Sequence, residues 1–320
     1  MNFHGKDIKI FAGNASKKVA ESIAENLSLK TGASVVKKFS DGEISVSLNE
    51  SVRGSDCFIV QSTCAPVNDN LMEILIMIDA MKRASAASIT VVMPYYGYAR
   101  QDRKAKARDP ITAKLCADLI TSAGADRVLT MDLHANQIQG FFNIPVDHLY
   151  GAGLLADHMK SKIGDNANEW IVVSPDLGSV TRSRNFAEKI GTGLAIIDKR
   201  RPEPNVSEVM NIIGDAKGKK VILVDDMIDT AGTLCNAANA IVERGGATEV
   251  YACATHAVLS GDAIKNIKNS VIKELVLLDT IPVPPEKMLD NFTILSVGEL
   301  FANAIKRIYE DEPVSPLYTK

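Results

Sequence analysis

The sequence predicts an α/β fold in two tandem domains, each a mostly parallel sheet flanked by helices. Three observations predict it. Short β-branched runs alternate with longer amphipathic stretches along the chain, the pattern of strands joined by covering helices. The 320 residues exceed one domain of about 150. The two halves also repeat one order of elements, as set out below.

Strands are predicted at 8–11, 58–61, 89–93, 128–131, 170–174, 194–198, 220–224, 249–255 and 274–278, where Val, Ile, Leu and Phe bunch between turn residues. Helices are predicted at 15–29, 71–85, 110–123, 180–189, 233–244 and 298–309, where apolar residues recur at helical spacing. Gly124 and Gly245 follow two of these runs, where a left-handed cap ends a helix. In the second half a strand (220–224), the loop DDMIDTAGT, a helix (234–244) and a strand (249–255) follow one another. In the first half 57–60, QSTCAPVNDN, 71–83 and 89–93 repeat that order. This reads as a duplication with one degenerate copy. The boundary falls in DHLYGAGLL (147–155), giving domains 1–148 and 149–320.

Composition excludes several classes. Hydrophobic residues are 46% and charged residues 23%, enough for two cores and too apolar for global disorder. A net charge of −3 argues against a polycation built for nucleic acid. The most apolar stretch, 71–81, is cut by Glu73 and Asp79, so no membrane helix is expected. The opening MNFHGKDIKIFAG lacks the apolar core of a signal peptide. Five cysteines (57, 64, 116, 235, 253) have no CxxC spacing. Buried structural thiols in a reducing cytoplasm are expected, and a zinc site is not.

The strongest chemical signal is VILVDDMIDTAGT, 221–233. Ligands of open α/β sheets bind beyond the carboxyl ends of strands. Thr230-Ala231-Gly232-Thr233 offers amides at a helix start and two hydroxyls. Small residues there let an anion approach, and the helix N-terminus favours negative charge. Asp225 and Asp226 repel a phosphate but suit sugar hydroxyls. Acceptors at one end and donors at the other fit a sugar phosphate. The plainer use of the two acids, as caps, suits a place directly after a strand poorly.

Other stretches are less decisive. FSDGE (39–43) reads equally as a turn with a staple residue. In YYGYARQDRKAKARDP, Arg100, Arg103, Lys104, Lys106 and Arg108 form a basic cluster. In a slightly acidic chain this suits nucleotide phosphates better than nucleic acid. His134 sits at a strand end in DLH, and a lone histidine is more often structural. KRRPEPN (199–205) holds three cations and two prolines, and is expected to form a mobile charged loop outside regular structure.

Taken together, FSDGE, YYGYARQDRK (95–104), DLHANQIQGFF (132–142), SPDLGS (174–179), IIDKRRPEPNV (196–206), EVMNIIGD (208–215) and the 221–233 loop resemble the ribose-phosphate diphosphokinase family, in its phosphate-activated, ADP-inhibited bacterial class. The 221–233 loop alone resembles the signature of type I phosphoribosyltransferases. The resemblance runs from about residue 8 to 318 and implies two phosphoribosyltransferase-like domains per chain, assembled as homohexamers built from dimers. It implies formation of 5-phosphoribosyl 1-diphosphate and AMP from ATP and ribose 5-phosphate, with Mg²⁺.

By the same resemblance, Phe39, Asp41, Gly42 and Glu43 contact ATP from a neighbouring subunit, together with Arg100, Gln101 and Asp102. His134 and Asp176 hold or orient Mg²⁺, with Asp132 weaker. Lys199 and Arg201 act on the transferring group, and Arg201 also meets ribose 5-phosphate. Asp225 and Asp226 take the ribose diol, and Asp229, Thr230, Ala231, Gly232 and Thr233 the 5-phosphate. Four positions depart from the family pattern. Ser179 replaces a second glycine, and Ala257 a proline. Ala107–Arg108 and Pro313–Val314–Ser315 lack two hydroxyls of the regulatory anion site. Arg53, Lys104, Arg108 and Ser315 are left to bind that anion, so weaker activation by inorganic phosphate or inhibition by ADP is expected. A base phosphoribosyltransferase shares the 221–233 loop but needs no ATP site. A non-catalytic regulatory homologue is opposed by the retained His134, Asp176, Lys199 and Arg201, and a nucleic-acid-binding module by the charge balance.

Overall fold

A computed structural model describes residues 7–200 and 209–318, with the backbone alone at 199, 200, 209 and 210. The chain divides into two compact units. The first contains β1 (Ile8–Ala12), α1 (Lys17–Asn26), β2 (Ser34–Lys38), β3 (Ile44–Leu48), β4 (Asp56–Val60), α2 (Val67–Arg83), β5 (Ser88–Met93), α3 (Thr112–Ala123), β6 (Arg127–Met131) and β7 (Val146–Leu149). The second contains α4 (Ala152–Ile163), β8 (Trp170–Ser174), α5 (Val180–Ile190), β9 (Gly193–Arg200), β10 (Val209–Ile213), β11 (Lys220–Ile228), α6 (Gly232–Glu243), β12 (Glu249–Ala257), α7 (Ala263–Lys268), β13 (Ile272–Leu278) and β14 (Phe292–Leu295). The last helix, α8 (Gly298–Tyr309), belongs to the first unit.

The first sheet has order β1-β4-β5-β6-β7, every pair parallel. The second has order β10-β9-β8-β11-β12-β13-β14, parallel except for β10 on β9. The core orders β1-β4-β5-β6-β7 and β8-β11-β12-β13-β14 correspond strand for strand. Each unit also inserts an antiparallel hairpin after its first strand and helix: β2–β3 in one, β9–β10 in the other. The repeat read from the sequence is therefore a repeat of topology.

The central strands are apolar because helices cover both faces. Val221, Ile222, Leu223 and Val224 of β11 are all buried, as a parallel strand requires. Met77, Ile78 and Met81 of α2 pack with Ile59, Val91 and Cys116 in the first core. Leu234, Ala238 and Ile241 of α6 pack with Leu223 and Ala252 in the second.

Several expectations change. The compact units divide at 150/151, and the first also takes in Ser296–Thr319, so α8, packed on α1, belongs to the first unit while α4, packed on α5, belongs to the second. The helix after each sheet's last strand thus lies with the other sheet. Strands β2, β3, β7, β10 and β14 and helices α4 and α7 were not predicted. Neither β2 nor β3 carries a buried residue, while β7, β14 and α7 are only four to six residues long. The left-handed residue after α6 is Gly246 (φ 69°), not Gly245, whereas Gly124 caps α3 as predicted (φ 116°). Lys199 and Arg200 lie within β9 by backbone and pair with Met210 and Val209, so that part of the cationic stretch is regular. Arg201 lies outside the described residues.

Candidate active site

In the second unit, β8 and β11 are parallel neighbours, so the loops that follow them open at one edge of the sheet. β11 continues through Ile228, with Asp225 opposite Ala254 and Met227 opposite His256. The two acids therefore lie on the strand rather than in a following loop, and the turn is confined to Asp229–Ala231. Ser260 fixes that turn: its N–H donates to the Asp229 carbonyl at 3.0 Å and its hydroxyl to Asp229 Oδ1. Asn266 Nδ2 donates to the Thr230 carbonyl at 2.9 Å. The Asp229 carboxylate is thus a brace of the turn.

Ala231 takes the left-handed conformation (φ 61°) as the N-cap of α6, and no side chain caps this helix. The first intrahelical bond runs from Cys235 N–H to the Ala231 carbonyl at 2.9 Å. Amides ahead of it in the first turn have no intrahelical acceptor, and they open beside the exposed Thr230 and Thr233. A Cβ at Gly232 meets only Thr230 Oγ1, at 3.9 Å, so the space above the helix start is open. A non-glycine residue at positive φ before an uncapped helix makes an anion seat.

Asp226 is buried and Asp225 half-buried. Burial, then the bond and charge of Asp226, push the Asp225 carboxyl up to about 7, against the pull of Arg182. Arg182 Nη1 lies 3.3 Å from Asp225 Oδ1 and 3.2 Å from Asp226 Oδ1. Arg182 was not singled out in the sequence. Its only signal was its place in the first turn of the helix that follows SPDLGS. In that loop Asp176 Oδ1 accepts the Ser179 N–H at 2.8 Å, and Ser174 Oγ donates to the Asp176 carbonyl at 2.7 Å. One carboxylate oxygen of Asp176 therefore caps its own turn.

In the first unit, the parallel neighbours β5 and β6 place YYGYARQDRK and DLH at one sheet edge. Gln137 Nε2 donates to Asp102 Oδ2 at 2.8 Å, joining the two loops. Gln101 is fixed at the start of α3: its carbonyl accepts the Ala113 N–H at 3.2 Å, and its side chain accepts the Thr112 hydroxyl. His148 on β7 accepts the Leu133 N–H at Nε2, 2.9 Å, which orients the turn that ends in exposed His134. Phe39, Asp41, Gly42 and Glu43 form the tip of the β2–β3 hairpin, closed by Phe39 N–H to the Glu43 carbonyl at 2.8 Å. Phe39 is 55% exposed. Arg53, Lys104, Arg108 and Ser315 are exposed in this unit. The hairpins β2–β3 and β9–β10 hold corresponding places in the two units.

Among the described residues, no group of three or more His, Cys, Asp or Glu side chains could hold a metal ion. None of the described helices is long and apolar enough to cross a membrane.

Comparison with known proteins follows the same lines. The profile of the N-terminal domain of ribose phosphate pyrophosphokinase matches residues 8–124, and that of the phosphoribosyl synthetase-associated domain matches 199–319. A ribose-phosphate pyrophosphokinase of Caldanaerobacter subterraneus subsp. tengcongensis is 66% identical over 313 residues, 98% of each chain. That of Clostridium tetani is 64% identical over the same length and coverage. The crystal structure of phosphoribosylpyrophosphate synthetase from Mycobacterium smegmatis superposes with a TM-score of 0.90 at 43% identity, covering 96% of this chain and 100% of that one.

Proposed function

The chain belongs to the ribose-phosphate pyrophosphokinase family, and from that premise we propose how its residues carry the reaction. The enzyme transfers the diphosphoryl group of ATP to O1 of ribose 5-phosphate, giving 5-phosphoribosyl 1-diphosphate and AMP. The observation that carries the residue assignment is the uncapped start of α6 behind left-handed Ala231.

The 5-phosphate sits on the first-turn amides of α6 and the Thr230 and Thr233 hydroxyls. Asp225 and Asp226 accept from the ribose hydroxyls. Asp229 shapes the seat through Ser260. ATP is taken by Arg100, Gln101 and Asp102, with Phe39, Asp41, Gly42 and Glu43 contributed by a neighbouring copy. The exposed hairpin tip suits that use. Lys199 and Arg201 set positive charge against the transferring group, where preplaced charge lowers the barrier most. Holding O1 in line with the β-phosphorus supplies much of the remaining acceleration.

The residues fit Mg²⁺ bound chiefly through phosphates and water. His134 and Asp176 each offer a single group, and Asp176 keeps one oxygen beyond its cap. An ion that retains water and takes one or two protein groups suits this set better than an all-protein cage. When bound, the ion offsets phosphate charge. We extend the proposal to a cytoplasmic homohexamer regulated by inorganic phosphate and ADP, with Arg53, Lys104, Arg108 and Ser315 at the anion site.

The test is AMP release from ATP, Mg²⁺ and ribose 5-phosphate. Formation of AMP only when ribose 5-phosphate is present supports the reading. Consumption of 5-phosphoribosyl 1-diphosphate with a purine or pyrimidine base, and no AMP, identifies a base phosphoribosyltransferase. No turnover in either assay identifies a regulatory homologue.

A further inference from the structure

Deepening the function proposed above, and resting on it, we propose that Arg182 is a positioning residue that holds Asp225 and Asp226 in place for the ribose hydroxyls. Consecutive side chains of a regular strand point to opposite faces. Yet the carboxylates of Asp225 and Asp226, neighbours on β11, both reach one guanidinium nitrogen, at 3.3 and 3.2 Å. The Asp226 N–H also donates to Asp225 Oδ1 at 2.9 Å. The Oδ1 atoms of both acids thus accept from protein donors.

The topology explains how Arg182 comes to be there. It stands in the first turn of α5, which follows β8 and packs against both β8 and its neighbour β11. The arginine therefore reaches the acids along the edge where the two strands end.

Physical need points the same way. Asp226 has 7% of its side chain exposed and Asp225 23%. Two adjacent carboxylates in such a place repel one another and lose hydration, so one of them takes up a proton unless a cation faces them. The charged groups facing Asp225 are Asp226, which favours its proton, and Arg182, which opposes it. A protonated Asp225 is a poorer acceptor for a sugar diol. Arg182 thus acts on the substrate through the two acids, and its contribution belongs to ribose 5-phosphate rather than to ATP.

The experiment compares wild type, Arg182→Gln, Arg182→Lys, Asp225→Asn and the Arg182→Gln/Asp225→Asn double variant in the AMP-release assay from pH 6 to 9. In Arg182→Gln the KM for ribose 5-phosphate at neutral pH is expected to rise about tenfold or more, with the KM for ATP within about twofold of wild type. The pH at which ribose 5-phosphate binding improves is expected to move upward, and Arg182→Lys to fall between the two. In the Asp225→Asn background, Arg182→Gln is expected to add less than about threefold, because coupled residues do not add. An unmoved pH profile, a defect confined to ATP, or losses that multiply in the double variant each overturn the proposal. If Arg182→Gln does not fold, the pH profile and KM of Arg182→Lys decide between the same outcomes. Wild type that forms no AMP instead refutes the function itself, which separates the two failures.

Discussion

Replacing Gly232 with alanine separates stability from substrate binding at the phosphate seat. Gly232 is the first residue of α6, and its φ is not in the left-handed region. An added Cβ meets only Thr230 Oγ1, at 3.9 Å, an ordinary contact, so the substituted chain folds without displacement. Alanine exceeds glycine in helix propensity by up to about 1 kcal/mol. In a chain of this size that raises the melting temperature by about 1–3 °C. The same methyl group, however, fills the open space through which a phosphate reaches the first-turn amides. Loss of one charge-assisted hydrogen bond costs about 1.5–3 kcal/mol, which is roughly 10- to 150-fold in affinity. Gly232→Ala is therefore expected to melt slightly higher than wild type while its KM for ribose 5-phosphate rises at least about tenfold. The assays are differential scanning fluorimetry and AMP release at saturating ATP. An unchanged KM for ribose 5-phosphate in a folded variant would show that the phosphate does not lie over the start of α6, and the reasoning would fail.

Lys199→Ala is expected to keep both KM values near wild type and lose at least about 10²-fold in kcat; near-normal turnover removes Lys199 from the chemistry. Because the folded Asp225 carboxyl titrates near 7 against an ordinary 3.8, the folded state binds that proton more tightly than the unfolded chain does. Stability from this group is accordingly full below about pH 4 and falls as pH rises to about 7. Melting curves of Asp225→Asn from pH 4 to 8 are expected to be flatter than those of wild type. All five cysteines are free and buried, with burial pushing Cys57 up to about 12 and Cys64 and Cys116 to about 11. Ellman's reagent is expected to leave the folded protein unlabelled and to label it fully in guanidinium. With Ala107 and Pro313 in place of hydroxyl-bearing residues, titration with inorganic phosphate and ADP is expected to show weak responses, and Ala107→Ser to strengthen them.

Strands buried on both faces, such as β4, β5, β11 and β12, were legible because continuous apolar runs bounded by turns have few other uses. The hairpin β2–β3 was not. Ser34–Lys38 and Ile44–Leu48 carry no buried residue, and a half-exposed ribbon leaves little trace in hydropathy. The tight turn before α6 was legible because small residues before an apolar helical run carry a backbone message. Arg182 was hidden for the opposite reason. Its contact with the two acids comes from β8 and β11 being neighbours, a relation between segments more than forty residues apart. The membership of α8 in the first unit was hidden in the same way. Its own pattern is that of any amphipathic helix, and only its packing on α1 assigns it.

The two units share a topology but not the electrostatics of their edges, and under the proposed function this is what sets the sugar phosphate on the second. In the first unit the place equivalent to the β8–β11 edge lies where β1 and β4 end. There Glu73, only 4% exposed, fills the edge with a carboxylate. It accepts from Asn14 N–H at 3.0 Å, Asn14 Nδ2 at 2.6 Å and Gln61 Nε2 at 2.6 Å. The Ser62 hydroxyl is given to the Thr280 carbonyl at 2.5 Å, and the first turn of α2 holds Asp69. The start of α2 is likewise without a side-chain cap, but a buried carboxylate and an acid at a helix start both repel an anion, so the two edges differ in charge. In the second unit the same edge has the start of α6 uncapped by any side chain, with its two acids drawn to Arg182. The first unit's nucleotide-binding candidates are correspondingly displaced to the loops after β5 and β6 and to its hairpin tip. The two units thus differ in where charge is placed along corresponding sheet edges.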